Sequence, residues 1–202
     1  MKLMTYSAFN AARNCQKKYE LRYREHLRPR EKSENLAFGS VIHQALEMWC
    51  GRVGDGHRLL AVLDLIDSAY PNRANDPAEK HAWHLAKAMM TGYASRYPDE
   101  AFEVVAIEKE FEAPIINPET GAESRSFRMG GKVDGVVRLP DGLYLMEHKT
   151  AGALTRDYLE RLWTDTQIAA YAHYLRETGT PVIGVIYNVL LKTRLKQNTG
   201  ET

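Results

Sequence analysis

The chain has 202 residues, 44% of them hydrophobic and 26% charged, with 27 Lys and Arg against 26 Asp and Glu. These proportions suit one globular domain with an ordinary core, and 14 Gly, 8 Pro and two Cys exclude collagen-like, low-complexity and disulfide-scaffold classes. The longest stretch without a formal charge, Thr178–Leu191, is too short to span a bilayer, and the N-terminus lacks the apolar run of a secretory signal. No membrane partner and a reduced, cytoplasmic setting are therefore expected.

The near balance of charge breaks at the N-terminus. Residues 1–32 hold nine Lys and Arg against three Glu, an excess of +6, which reads either as a solvated helix face or as a surface for a polyanion. Thr5 or Ser7 caps a helix predicted to run to about His26, with Phe9, Ala12, Tyr19 and Tyr23 at helical spacing, and Pro29 ends it. Further helices are predicted over Leu36–Arg52, His57–Tyr70 and Asp76–Tyr97. The pattern then changes. Phe102–Ile116 and Ser126–Leu139 have strand composition, joined through the turn residues Asn117-Pro118-Glu119-Thr120-Gly121. Gly130-Gly131 suggests a bulge or a close backbone approach. Pro140-Asp141-Gly142 makes a hairpin into a third strand, Leu143–Lys149; Asp157–Glu177 returns to helix, and Val182–Leu191 fits a buried strand. The tail from Lys192 to Thr202 is polar and reads as unanchored.

Chemistry concentrates in Gly131-Lys132-Val133-Asp134-Gly135 and, twelve residues later, Glu147-His148-Lys149-Thr150. Folding the hairpin with Leu139 against Leu143 puts Asp134 opposite His148, within about one residue. Alternation sets Glu147 and Lys149 on one face and His148 on the other. Asp134 reaches the Glu147 face if the register shifts by one or a bulge re-aims it. Two carboxylates side by side repel unless a cation sits between them, and such oxygen donors suit Mg²⁺ or Mn²⁺. The plainer account is a cross-strand salt bridge of Asp134 or Glu147 with Lys149.

Val133-Asp134, the dozen-residue gap and Glu147-His148-Lys149 resemble the core of the PD-(D/E)XK nucleases, with Val133 where Pro is common. Three further motifs resemble the RecB-like branch of that family, which includes recombination exonucleases and CRISPR-adaptation nucleases. Ser7 followed by Cys15-Gln16-Lys17-Lys18-Tyr19 is similar to its Ser…Cys-Pro-x-x-Tyr opening, with Gln16 in place of Pro. Phe38-Gly39-Ser40-Val41-Ile42-His43 is similar to its helical Gly-x-x-x-His motif, and Gln167-Ile168-Ala169-Ala170-Tyr171 to its Gln-x-x-x-Tyr motif. The matches stand in family order from Ser7 to Tyr171.

The resemblance implies an α/β (α+β) fold with a restriction-endonuclease-like core: a mixed sheet of about four strands flanked by helices. Residues 1–100 would be an N-terminal helical part contributing His43, and residues 101–202 the nuclease core, in one compact domain. It implies a Mg²⁺- or Mn²⁺-dependent deoxyribonuclease, an exonuclease in recombination, repair or phage DNA processing. DNA would be its partner, with recombination or helicase proteins beside it. His43, Asp134 and Glu147 would bind the metal with the backbone carbonyl of His148, and Lys149 would position the attacking water. Gln167 and Tyr171 would reach the phosphate backbone or support the catalytic strand. Apart from the resemblance, His43 reads as a core histidine and Tyr171 as helix packing. Glu108 reads as an accessory carboxylate or as ordinary strand charge, and His81 and His84 as surface residues.

Some members hold an iron–sulfur cluster on one N-terminal and three C-terminal cysteines. Cys15 matches the first position and two cysteines cannot supply four, so no cluster is expected and Cys15 reads as a small buried residue. Members usually carry further helices after the strand at Val182–Leu191, which suggests a minimal or truncated member. The alternative function is a catalytically inactive nucleic-acid-binding module of the same fold in a larger helicase or recombination assembly, to which the basic N-terminus points.

Overall fold

Capping residues in the first half and β-branched runs in the second lay down the elements of the computed structural model, which describes residues 1–30, 33–98 and 101–192. Glu31 and Lys32 of the basic segment, and the polar tail from Thr193, lie outside the described residues. Lys2–Thr5 forms a short strand, β1, where only the approach to a helix is predicted. Thr5 ends it and caps α1 (Tyr6–Asn14), its hydroxyl accepting the Ala8 N–H at 3.2 Å. Cys15 is extended (φ −160°) and interrupts the helix. A short α2 (Gln16–Tyr19) and a π-helical turn, Glu20–Arg24, follow. The single helix predicted to His26 is thus three pieces. Cys15 is exposed rather than buried, because its Sγ accepts the Lys18 N–H and serves as the cap of α2.

α3 (Glu34–Cys50) buries Phe38, Ile42, Ala45, Leu46 and Trp49 at the three- and four-residue spacing of one helix face. α4 (Arg58–Ala69) and α5 (Pro77–Arg96) follow, the latter with Pro77 at its first position and Asp76 accepting the Ala78 and Glu79 N–H groups. No helix among the described residues is long and apolar enough to cross a membrane. β2 (Glu103–Ile116), β3 (Glu123–Leu139) and β4 (Gly142–Ala151) form an antiparallel meander. The single helix predicted over Asp157–Glu177 is two, α6 (Arg156–Trp163) and α7 (Thr166–Glu177). Asp165 leaves helical geometry between them to accept the Gln167 and Ile168 N–H groups. β5 (Val182–Leu191) matches its predicted bounds.

The strands make one mixed sheet of five, flanked by helices. β2 runs antiparallel along one edge of the long β3. The other edge of β3 is divided: β1 pairs with it in parallel as far as Thr5–Gly130, and β4 pairs antiparallel from Gly135–Met146 onward. β4 in turn neighbours β5. The count exceeds the expected four because β1, four residues with no alternation to mark it, adds a strand. No bulge sits at Gly130-Gly131; the register shifts fall between Val104 and Ala106, with Val105 the extra residue of β2, and between the Pro114–Arg128 and Ile116–Glu123 pairs, where β3 carries the extra residues. The two glycines serve close approach instead. A Cβ on Gly130 would lie 2.6 Å from Leu3 Cδ1, and one on Gly131 2.5 Å from Phe111 Cζ and 2.8 Å from Tyr171 Cε1.

The chain groups into two units, each assembled from three segments. The first (1–37, 101–147 and 165–186) holds β1, α1, α2, most of the sheet and α7, around Val133, Val136, Val137, Leu145, Met146 and Leu175. The second (38–100, 148–164 and from Tyr187 on) holds α3 to α6 around Ile42, Leu46, Val62, Ile66 and Met90.

Candidate active site

The divided edge of β3 leaves Gly131–Asp134 between the last pair made by β1 and the first made by β4. Asp134 stands at the end of this gap. The hairpin register is Leu139 with Gly142, one residue from the predicted pairing with Leu143. That single step matters, because it moves Asp134 from opposite His148 to opposite Glu147, one position past the Gly135–Met146 pair. Directly opposite residues of an antiparallel pair share a face, so continuing this register one step past the last pair assigns the two carboxylates to one side of the sheet. Glu147 is 6% exposed and Asp134 half-buried.

Tyr171 shows that the two acids share one environment. It lies on the buried side of α7, its ring 5.2 Å from Phe111 and 6.4 Å from Tyr6 between centroids. Burial pushes its hydroxyl above the ordinary tyrosine range, and the charges of Glu147 and Asp134 push it further. A hydrogen bond with Gln167, one turn earlier on the same face, pulls the other way. Gly131 is the residue that lets this ring settle on β3. Tyr6 completes the wall, its hydroxyl hydrogen-bonded to the Thr166 hydroxyl at the start of α7.

Across the other edge of β3, Glu108 occupies the place opposite Asp134, between the Ile107–Gly135 and Lys109–Val133 pairs. Its φ is 49°, in the left-handed region that residues with side chains rarely adopt, and its carboxylate pairs with Lys132. The Glu108–Lys132 pair agrees with the ordinary-charge reading, while the backbone conformation sets Glu108 apart from the other residues of β2. Sequence alternation carries no signal for that conformation.

The second unit holds the remaining predicted residues. His43 of α3 and His148 of β4 meet edge to face, ring centroids 6.1 Å apart. His148 is 2% exposed, and its Nδ1 faces Asn188 Nδ2 at 3.0 Å; the same amide donates to the Tyr93 hydroxyl at 3.2 Å. Lys149 is half-buried on β4, and alternation along that strand gives it the orientation of Glu147. His81 and His84 are exposed, as read from sequence.

Among the described residues no group of three or more His, Cys, Asp and Glu is gathered closely enough to hold a metal ion. What the first unit does offer is a pair of neighbouring carboxylates. That donor set fits Mg²⁺ or Mn²⁺, which take one or two carboxylates and fill the other positions with water and substrate phosphate oxygens. A larger concavity, about 630 Å³, lies by the Asn117–Gly121 turn and contains none of the predicted residues.

A family model described as the PD-(D/E)XK nuclease superfamily matches residues 3–201. No curated protein matches the chain.

Proposed function

Because this chain belongs to the PD-(D/E)XK nuclease superfamily, we propose that it hydrolyses DNA phosphodiester bonds at the Asp134–Glu147 pair, as an exonuclease of the RecB-like branch acting in recombination, repair or phage DNA processing. The observation that carries this reading is the hairpin register, which brings two carboxylates to one face of the sheet beside the buried Tyr171. Two neighbouring carboxylates are a donor set that a divalent cation suits. Asp134 and Glu147 would hold Mg²⁺ or Mn²⁺, with water and substrate phosphate oxygens filling the other positions. When bound, the ion would polarise the phosphate and lower the pKa of a coordinated water. Lys149 orients the attacking water and offsets the negative charge that builds on the phosphate. Gln167 and Tyr171 hold β3 and the substrate backbone in place.

The test uses end-labelled linear and circular DNA with Mg²⁺, Mn²⁺ or EDTA. Degradation of the linear substrate from its ends, abolished by EDTA, is expected. Asp134→Ala and Lys149→Ala should each remove cleavage while the melting temperature holds. If both variants cut as fast as the parent, with contaminating nuclease excluded, the assignment is wrong. Cutting of circular DNA would leave the hydrolysis and remove the exonuclease reading.

A further inference from the structure

The basic N-terminal segment has no role in the chemistry above. Part of its charge is neutralised locally, since Lys17 pairs with Glu20 at 3.0 Å. Lys18 and Arg22 make no ion pair among the described residues; both are exposed. They face a cavity of about 230 Å³ that Tyr6, Asn10, Tyr23 and Gln167 also line, all within the first unit. Tyr23 is backed by Tyr19, the rings stacked 5.7 Å apart, and the Arg22 guanidinium lies 5.7 Å from the Tyr23 ring centre. Two of these residues belong equally to the candidate active site. Gln167 hydrogen-bonds Tyr171, and Tyr6 packs against the Tyr171 ring. The cavity and the carboxylate pair therefore adjoin a common wall.

Two unpaired cations suit a phosphate, a backed aromatic face suits a stacked base, and the amides of Asn10 and Gln167 suit a base edge or sugar hydroxyl. The volume falls below the roughly 300 Å³ at which ordinary small-molecule pockets begin. It has room for about one nucleotide and none for a base-paired duplex.

We propose that this cavity takes one nucleotide of an unpaired DNA strand beside the bond to be cut, phosphate on Lys18 and Arg22 and base on Tyr23, so that the substrate is a single strand or a frayed end. The proposal rests on the nuclease reading for what happens next, but binding tests it separately. Binding of fluorescent single-stranded and blunt hairpin oligonucleotides is measured in EDTA, where cleavage is silent. Lys18→Ala/Arg22→Ala should weaken single-strand binding at least about tenfold and reduce the slope of log K against log salt by about 0.7, the change for one lost phosphate contact on a single strand. Hairpin binding should change less than about threefold, since the contact is made only to unpaired strand. Tyr23→Ala should lose about five- to tenfold for the single strand, and Tyr23→Phe should restore it, because stacking needs the ring and not the hydroxyl. Arg138→Ala is the control and should bind as the parent does, since Arg138 lies near the far end of β3, where its guanidinium pairs with Glu103 of β2. Lys18 and Arg22 are exposed, so their double variant keeps the fold even where a Tyr23 variant fails to. Equal weakening for both DNA forms, or an unchanged salt slope, overturns the proposal. A chain that binds single strands through this cavity yet cuts nothing refutes the nuclease reading alone. A chain that cuts DNA but binds both forms unaltered in the double variant refutes the cavity alone.

Discussion

Neighbouring residues of β4 enter two different regimes. Glu147 belongs to an acidic region: Asp134 lies opposite it in register, Glu108 flanks Asp134 on the other edge with Lys132 paired to it, and the charges of Glu147 and Asp134 add to the burial that raises the Tyr171 hydroxyl. His148 belongs to a region where polar groups are matched, its ring set against His43 and its Nδ1 against Asn188, which also serves Tyr93. Charge crowding destabilises a fold unless it is kept for binding something positive, whereas a matched buried network stabilises and orients.

The largest expected effect breaks that comparison at its functional end. Asp134→Asn and Glu147→Gln keep the shape and remove one negative charge each. Cleavage should fall by about 10²–10³ or more, the scale of deleting a preorganised electrostatic contact, while the melting temperature stays level or rises as the repulsion is relieved. A fall in melting temperature with activity kept would make the pair an ordinary structural element. In the matched region the signs reverse. Asn188→Ala withdraws the amide from His148 and Tyr93 and should lower unfolding free energy by about 1–3 kcal/mol in urea titrations. Gly131→Ala brings a cost of similar size, about 1–3 kcal/mol, because the new methyl meets the Phe111 and Tyr171 rings. Its diagnostic consequence is a loss of kcat at saturating substrate beyond any fall in the folded fraction, since Tyr171 would be displaced from β3.

Much of this was legible in the residues. Asp134, Glu147 and Lys149 stand out through the motif they resemble, since their spacing alone also fits a cross-strand salt bridge, and Val182–Leu191 through a β-branched run interrupted only by Gly184, Tyr187 and Asn188. The hairpin register was ambiguous by one residue because Pro140-Asp141-Gly142 fits more than one turn length, and one residue changes which group faces Asp134. β1 was invisible because Lys2–Thr5 is too short to display a period. The breaks at Cys15 and Asp165 were missed because the helical pattern continues in phase across both. Each is made by a side chain capping the next helix. The left-handed backbone of Glu108 and the cavity under Tyr6 arise from long-range packing that no local pattern encodes.

The smallest effect sharpens the comparison at high pH. Burial, reinforced by Glu147 and Asp134, raises the Tyr171 hydroxyl above its unfolded value near 10, so the folded chain favours the neutral form. Its contribution is fully present below pH 10 and is lost as pH rises through the raised folded value, because the unfolded chain then releases a proton that the folded chain retains. Tyr70 and Tyr174 are raised by burial and Tyr144 by its hydrogen bond to Asp141, in the same direction, so the alkaline decline of the parent includes all four tyrosines. Tyr171→Phe removes one of them, and its unfolding free energy should fall less steeply than the parent's above pH 10. Asp134→Asn should also flatten the parent's slope, by less, since one of the charges acting on Tyr171 is gone. Parallel pH profiles for parent and Tyr171→Phe would mean that the hydroxyl is open to water and that Tyr171 does not sense the carboxylate pair. The contact between α4 and α5, where Lys87 pairs with Asp67 at 2.9 Å, gives the opposite edge. Asp67 is held below its usual range by hydrogen bonds from Lys87 and Trp83, so its contribution is present above about pH 4 and lost as pH falls, and Asp67→Asn should flatten the acid limb while leaving the alkaline one as it was.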